Sequence, residues 1–289
     1  MLDDFIAGWI SGGIGLVVGH PFDTIKTRIQ TIKQFNGPYD CLMVTIKNES
    51  FKSLYKGMLG PTMSIGFQNS LLFSGYGWTL KLIHGNNDKN NLPMKDIIFA
   101  SIIGTWLQLI PGIPIDNIKT KLQVQRTTSV NNNYYKGPID GGIKIMKKKG
   151  FIGLYEGGHA MFWRDNIGYL FYIPVYEISQ RYLIEKNYNE NVAQLIGGGL
   201  AGSISWLSIC PIEIVKNKLQ VMEQVNEKYE KNVNYRIICQ DIYKNNGIKG
   251  FYKGGLILVC RGFLTNAVVF FVYENVIDIC GKFFKAKNH

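Results

Sequence analysis

An all-α membrane protein is predicted, with six transmembrane helices in three pseudo-threefold repeats and a short amphipathic helix in each repeat. Three observations predict it. Charged residues are absent from a series of long stretches, a Pro-x-acid-x-x-Lys hexapeptide occurs three times, and basic residues crowd into three loops. The hydrophobic content of 46% alone decides nothing, because it matches the average of soluble globular proteins.

The first repeat, residues 1–90, begins with an uncharged run from Phe5 to Phe22 (18 residues) that closes on Pro21. A polar loop follows, then an amphipathic segment near Asp40 to Ser50 and a second uncharged run from Gly57 to Leu80 (24 residues). Repeat two, residues 91–188, has its first run at Ile97 to Ile115 (19 residues), its amphipathic segment near Ile139 to Lys149, and a second span from Gly157 to Tyr176 broken only by Arg164 and Asp165. Repeat three, residues 189–289, runs from Val192 to Ile212 (21 residues), through Arg236 to Asn246, to Gly254–Tyr273, broken only by Arg261. About 20 apolar residues cross a bilayer as a helix. Buried helices of a soluble protein are seldom this long and charge-free in series, so the membrane reading is preferred.

The net charge of +11 implies an anionic partner: nucleic acid, phospholipid headgroups or an anionic solute. The charge-free spans argue against a basic RNA-binding adaptor, so no nucleic-acid partner is expected. Nine prolines, 18% charged and 13% aromatic residues exclude disorder and collagen. Five scattered cysteines without a C-x-x-C pair are read as reduced. Of 32 Lys and Arg, 22 lie at positions 26–56, 119–156 and 216–253, which places those loops on one face and both termini on the other. The start Met1-Leu2-Asp3-Asp4 resembles neither a secretory signal nor a transit peptide, so targeting is expected to be internal.

Pro21, Asp23 and Lys26 recur as Pro114, Asp116 and Lys119 and as Pro211, Glu213 and Lys216, with Gln30, Gln123 and Gln220 nine residues after each proline. Each proline removes a backbone hydrogen bond and should kink its helix inward. Acid and lysine at i and i+3 share a helix face, so three converging helices would present an alternating ring of six charges, which acts as a gate if it forms and breaks. Tyr55, Tyr155 and Tyr252 open a second marker ending on Gly57, Gly157 and Gly254. Seven residues beyond those glycines stand Ser64, Arg164 and Arg261. Intramembrane charges mark function by default. Arg164 and Asp165 are adjacent, diverge by about 100° on a helix, and are therefore expected to face a cavity rather than each other. Ser64 and Gln68 offer neutral hydrogen bonding at the matching place.

Gly197, Gly199 and Gly202 match G-x-G-x-x-G, yet no strand precedes them. Gly8 with Gly12, Ser101 with Thr105, and Gly198 with Gly202 read instead as small residues that let helices pack closely. His20, His84, His159 and His289 form no metal pattern, and no catalytic constellation is found. No enzyme activity, metal or cofactor is expected.

Over essentially its whole length the chain resembles the mitochondrial carrier family. The signature P-x-[DE]-x-x-[KR]-x-[KR] is met in full at Pro21 to Arg28, Pro114 to Lys121 and Pro211 to Lys218. The resemblance implies one carrier domain, 1–289, with six tilted helices around a cavity, alternating access, the inner mitochondrial membrane, charged loops in the matrix and termini toward the intermembrane space. It implies that Gln30, Gln123 and Gln220 brace the matrix salt bridges, that cardiolipin sits near Gly57, Gly157 and Gly254, and that the chain works as a monomer. The cytoplasmic motif [FY]-[DE]-x-x-[KR] is degraded to Tyr76 with Gly77 and Leu80, Tyr176 with Glu177 and Gln180, and Tyr273 with Glu274 and Ile277. No acid–base pair is expected there, so the cytoplasmic gate should be weak and the resting state open to the cytoplasm. The acid-glycine marker is also altered, at Ser50, at Lys149 with Glu156, and at Asn246.

The family's substrate contacts map onto Ser64, Arg164 with Asp165, and Arg261, and substrate is expected to meet these together with Gln68 and Trp206. The Arg-acid pair, the Gly19 to Lys26 segment and Trp206 are similar to the carnitine/acylcarnitine and amino-acid branch, which implies exchange of a zwitterion with one positive centre. An uncoupler-like proton or anion conductor on the same scaffold is the alternative.

Overall fold

Each charge-free stretch becomes a helix that runs past its apolar limits, because the charged residues after the prolines find partners on neighbouring helices. In the computed structural model, residues 2–32, 34–85, 92–125, 135–225 and 234–287 are described. Repeat one contains α1 (Leu2–Thr31), α2 (Pro38–Asn48) and α3 (Leu59–His84). Repeat two contains α4 (Met94–Val124), α5 (Pro138–Lys149) and α6 (Gly158–Glu185); repeat three contains α7 (Glu190–Val225), α8 (Tyr235–Asn246) and α9 (Gly255–Lys287). Pro21, Pro114 and Pro211 lie inside α1, α4 and α7 rather than at their ends, and each helix continues through the hexapeptide. A 3₁₀ turn that the sequence reading did not anticipate follows each short helix, at Phe51–Tyr55, Phe151–Tyr155 and Ile248–Tyr252.

The long helices close into a ring in the order α1, α3, α4, α6, α7, α9. Contacts are densest between repeats: α3 along α4, α6 along α7 and α9 along α1, with α1, α4 and α7 meeting one another at the proline end. Glycines permit these crossings, and the expected pairs supply them in part: a Cβ at Gly12 would meet Ile65 of α3 at 3.7 Å and one at Gly202 would meet Asn266 of α9 at 3.2 Å. A Cβ at Gly75 would stand 2.9 Å from the Cα of Gly104 across α3 and α4, and one at Gly19 would stand 2.8 Å from Thr265 Oγ1 across α1 and α9. Gly8 and Gly198 meet nothing within 4 Å. The contact line on α1 runs instead through Gly15 and Gly19, because α9 crosses nearer the proline.

Burial is inverted relative to a soluble protein. Lys26, Arg28 and Lys216 are enclosed, while Trp9, Met63, Phe67 and Trp78 point outward. That is the arrangement lipid as solvent demands: apolar groups outside and polar groups satisfied within. Among the described residues, Met94–Val124, Val192–Val221 and Ile248–Tyr273 are each long and apolar enough to cross a membrane on composition alone. The second helices of repeats one and two are diluted by polar groups, Ser64, Gln68, Asn69 and Ser70 on α3 and Arg164 and Asp165 on α6.

Candidate functional site

Where α1, α4 and α7 converge, the three hexapeptides form a cyclic set of ion pairs. Lys119 Nζ lies 2.7 Å from Asp23 Oδ2, Lys216 Nζ 2.7 Å from Asp116 Oδ2, and Lys26 Nζ 2.6 Å from Glu213 Oε1. Each acid therefore takes the lysine of the following repeat. Lys26, Lys216, Asp23 and Glu213 are all buried. Removing one partner of such a pair typically costs about 3–5 kcal/mol, because a buried charge is left uncompensated.

The glutamines do not act alike. Gln220 Nε2 reaches Asp116 Oδ2 at 3.4 Å and the Glu156 carbonyl at 3.3 Å. Gln30 instead donates to the Lys253 carbonyl (3.3 Å) and accepts from Asn217 Nδ2 (2.8 Å). Gln123 accepts from Thr27 Oγ1 and donates to Thr24 Oγ1. Only Gln220 touches an ion-paired carboxylate. Gln30 and Gln220 each hold the carbonyl just before a glycine of the neighbouring marker, Gly254 and Gly157, while the carbonyl before Gly57 stands 3.0 Å from His20 Nε2; the three glycines hold φ of +82°, +80° and +83° as the chain turns into α9, α6 and α3.

Arg164 corrects an expectation. Its Nε lies 2.6 Å from Asp165 Oδ1 despite the divergence of adjacent Cβ vectors, because the long side chain curls back, and its Nη1 extends to Glu213 Oε2 at 3.0 Å. Arg261 Nε lies 2.5 Å from Asp23 Oδ1. Two of the three ring acids thus share themselves between a lysine and an arginine. Repeat one supplies no such group: Gln68 donates to Ser64 Oγ at 2.8 Å, and Ser64 donates to the Pro61 carbonyl. Trp206 carries Lys26 Nζ 5.5 Å and the Arg261 guanidinium 5.2 Å from its ring centroid, so the protein's own cations face this indole.

At the opposite end the expectation that no acid–base pair forms is also corrected. Glu177 pairs with Arg181 at 3.1 Å, since i and i+4 share a face, but the pair is exposed and stays within α6. Tyr76 is half-buried, Tyr176 stacks on Tyr172 within α6, Gln180 and Tyr273 are half-buried, and the Glu274 side chain lies outside the described residues. His84 Nε2 stands 3.0 Å from Asp96 Oδ2, a link between α3 and α4 that the sequence reading missed.

A second tier of charge below the ring was also missed, although the eighth signature residue pointed to it. Glu49 receives Arg28 Nη1 at 2.6 Å and Lys56 Nζ at 2.7 Å. Burial would push the Glu49 carboxyl up, but the hydrogen bonds from Arg28 and Lys56 outweigh it and hold the group below its usual value. In repeat two the signs of the two loop positions are exchanged, and Glu156 receives both Lys121 (3.0 Å) and Lys149 (2.9 Å). In repeat three Lys218 faces Asp241 at 3.7 Å. Among the described residues no cluster of His, Cys, Asp or Glu fits a metal ion.

Comparison with known proteins agrees with the repeated architecture. The family model described as mitochondrial carrier protein matches residues 1–87, 90–187 and 188–283. The chain is 32% identical to solute carrier family 25 member 45 of Mus musculus over 96% of this chain and 99% of that protein. It is 32% identical to mitochondrial substrate carrier family protein S of Dictyostelium discoideum, over 97% and 98%, and 32% identical to solute carrier family 25 member 48 of Danio rerio, over 94% and 96%. Three copies of one signature, a closed ring of six long helices, buried charge at its narrow end and these similarities over the whole length place the chain in the mitochondrial carrier family, among the multi-pass solute transporters of the mitochondrial inner membrane.

Proposed function

We propose that this carrier exchanges a small zwitterion, an amino acid or a carnitine/acylcarnitine-like compound, by alternating access. The observation that supports this reading is the double engagement of Arg164, which touches an acid of the cavity, Asp165, and an acid of the ring, Glu213. A substrate carboxylate arriving at Arg164 competes with Glu213, and one arriving at Arg261 competes with Asp23. Either exchange weakens the ring, so binding loosens the gate. Asp165 next to Arg164 suits a molecule that carries an acid and a base close together. Ser64 and Gln68 complete the site with neutral polarity.

On this reading Asp23, Lys26, Asp116, Lys119, Glu213 and Lys216 form the matrix gate. The weak far-end residues Tyr76, Tyr176, Glu177, Gln180, Tyr273 and Glu274 leave the resting state open to the intermembrane space, where the termini lie. A matrix-open majority in trapped, substrate-free protein overturns that orientation. The chain acts as a monomer, with cardiolipin at the glycine turns Gly57, Gly157 and Gly254, where helix N-termini attract phosphate. The test is uptake of labelled carnitine, ornithine and neutral amino acids into proteoliposomes preloaded with each unlabelled compound. Counter-substrate-dependent uptake of one zwitterion, abolished by Arg164→Ala, is expected; proton flux without exchange would replace this reading with an uncoupler-like conductor.

A further inference from the structure

The inward face of α6 differs from those of α3 and α9. Gly168 marks the contact line of α6 with α7, where Ser205 Oγ donates to its carbonyl at 2.8 Å. Phe162 and Asn166 mark the line with α4: the Phe162 and Trp106 rings lie 5.4 Å apart and Trp106 Nε1 stands 3.4 Å from Asn166 Oδ1. With about 100° per residue, Asp165, Tyr169, Tyr172 and Tyr176 fall between those lines, within roughly 60° of one another. None of the four is exposed, whereas Trp163, Leu170, Phe171 and Ile178 on the opposite side are. The stripe therefore faces the centre of the ring and rises about 16 Å from Asp165 toward the far end.

Its chemistry is unequal to that of its counterparts. The matching positions hold Ile65, Asn69, Leu72 and Tyr76 on α3, and Gly262, Asn266, Val269 and Tyr273 on α9. Tyr172 and Tyr176 lie nearly parallel, 6° apart with centroids at 6.1 Å. Aromatic faces with a carboxylate at one end attract an onium group, and the faces and the carboxylate alike disfavour an anion. Trp206, the ring expected from sequence to meet the substrate, is already faced by Lys26 and Arg261.

We propose that Asp165, Tyr169, Tyr172 and Tyr176 form one subsite that receives the ammonium or trimethylammonium end of the substrate while Arg164 holds its carboxylate, an inference that rests on the zwitterion reading above. The stripe guides the cation inward, and Asp165 neutralises it beside Arg164.

The experiment compares trimethylglycine with 3,3-dimethylbutanoate, which has the same shape with carbon in place of the quaternary nitrogen. The concentration of each giving a half-maximal rise in unfolding temperature is measured on the purified full-length carrier, a rise that follows from ligand binding the folded state. Trimethylglycine is expected to act at a concentration at least about fivefold lower, in keeping with cation–π attraction at a desolvated site. Tyr172→Phe should keep that preference, because the ring face remains, and Tyr172→Leu and Tyr169→Leu should reduce it. A preference that survives both leucine variants overturns the subsite and leaves the zwitterion reading standing. Equal responses to the two probes, both lost in Arg164→Ala, overturn the subsite while retaining the carboxylate site. No response to either probe in protein that still unfolds cooperatively overturns both.

Discussion

The proline end and the far end of the ring are made by the same six helices, yet charge is used at them in opposite ways. At the proline end every acid of the hexapeptide reaches a lysine on another helix, at 2.6–2.7 Å. At the far end the described ion pair of the degraded motif, Glu177 with Arg181, stays on one helix and in the open. A buried pair across helices resists separation because each charge would be stranded, whereas an exposed pair along one helix contributes about 0.3–0.5 kcal/mol and holds nothing shut. The difference teaches that what charge can hold together depends on whether a pair crosses between repeats, not on the number of charges present.

The sharpest way to break this comparison is Glu213→Gln against Glu177→Gln. The first strands Lys26 and frees Arg164, and it is expected to cost about 3–5 kcal/mol and several degrees of unfolding temperature. The second should cost under about 0.5 kcal/mol. Equal losses in a thermal melt would erase the distinction between the ends. The second tier allows a smaller test. Glu49→Gln leaves the buried Arg28 without its carboxylate and should cost about 2–3 kcal/mol, with a clear fall in melting temperature.

That tier also carries a pH signature. The folded state holds the Glu49 carboxyl below its usual value of 4.5, so its stabilisation is complete above that pH and is lost as the pH falls through the depressed folded value. Melting temperature should therefore drop on acidification more steeply in the native chain than in Glu49→Gln; parallel curves would remove Glu49 from the account. Building a link at the far end sharpens the contrast further. Gly77→Asp with Gln180→Lys places an acid on α3 and a base on α6, copying the pairing of Asp23 with Lys119. The double variant is expected to slow transport about two- to fivefold, in keeping with a pair worth roughly 0.5–1 kcal/mol, while neither single change does. The smallest effect is expected at Ser50, which holds φ of 118° where repeats two and three place Gly150 and Gly247. Ser50→Gly should raise stability by up to about 1 kcal/mol, read as a small increase in melting temperature.

Much of the fold was legible in the sequence because lipid imposes a harsh pattern. Charge-free runs of helix length and a repeated proline left little choice of architecture, and the short helices fall within a few residues of their expected positions. The ring was legible for the same reason: Asp23 and Lys26 share a face only if the helix continues past Pro21. Other features were hidden because they depend on reach. That Arg164 bends back to Asp165 and also spans to Glu213 follows from a long, flexible side chain, which Cβ directions do not describe. The glutamines looked equivalent by spacing, yet Gln30 and Gln220 meet carbonyls of the neighbouring repeat while Gln123 meets Thr24 and Thr27, because the residues they face differ: Asn117 and Thr120 stand at those positions in repeat two, where the Thr120 hydroxyl turns back to the Asp116 carbonyl, and Ile214 and Asn217 in repeat three. The exchange of sign between Lys149 and Glu156 looked like decay of a motif. In three dimensions it preserves the link, since the acid merely approaches from the other side of the loop.

Because each repeat packs its second helix mainly against the first helix of the next, a newly made repeat has no complete partner of its own. The packing of α3 is completed by α4 and that of α6 by α7, while the seam between α9 and α1 joins the last helix of the chain to the first. Assembly is therefore a circular act of closure. A chain cut after two repeats would hold two unmatched edges in the bilayer, with Lys26 and Asp116 facing no third helix, so the last seam completes both the ring and its charge pairing.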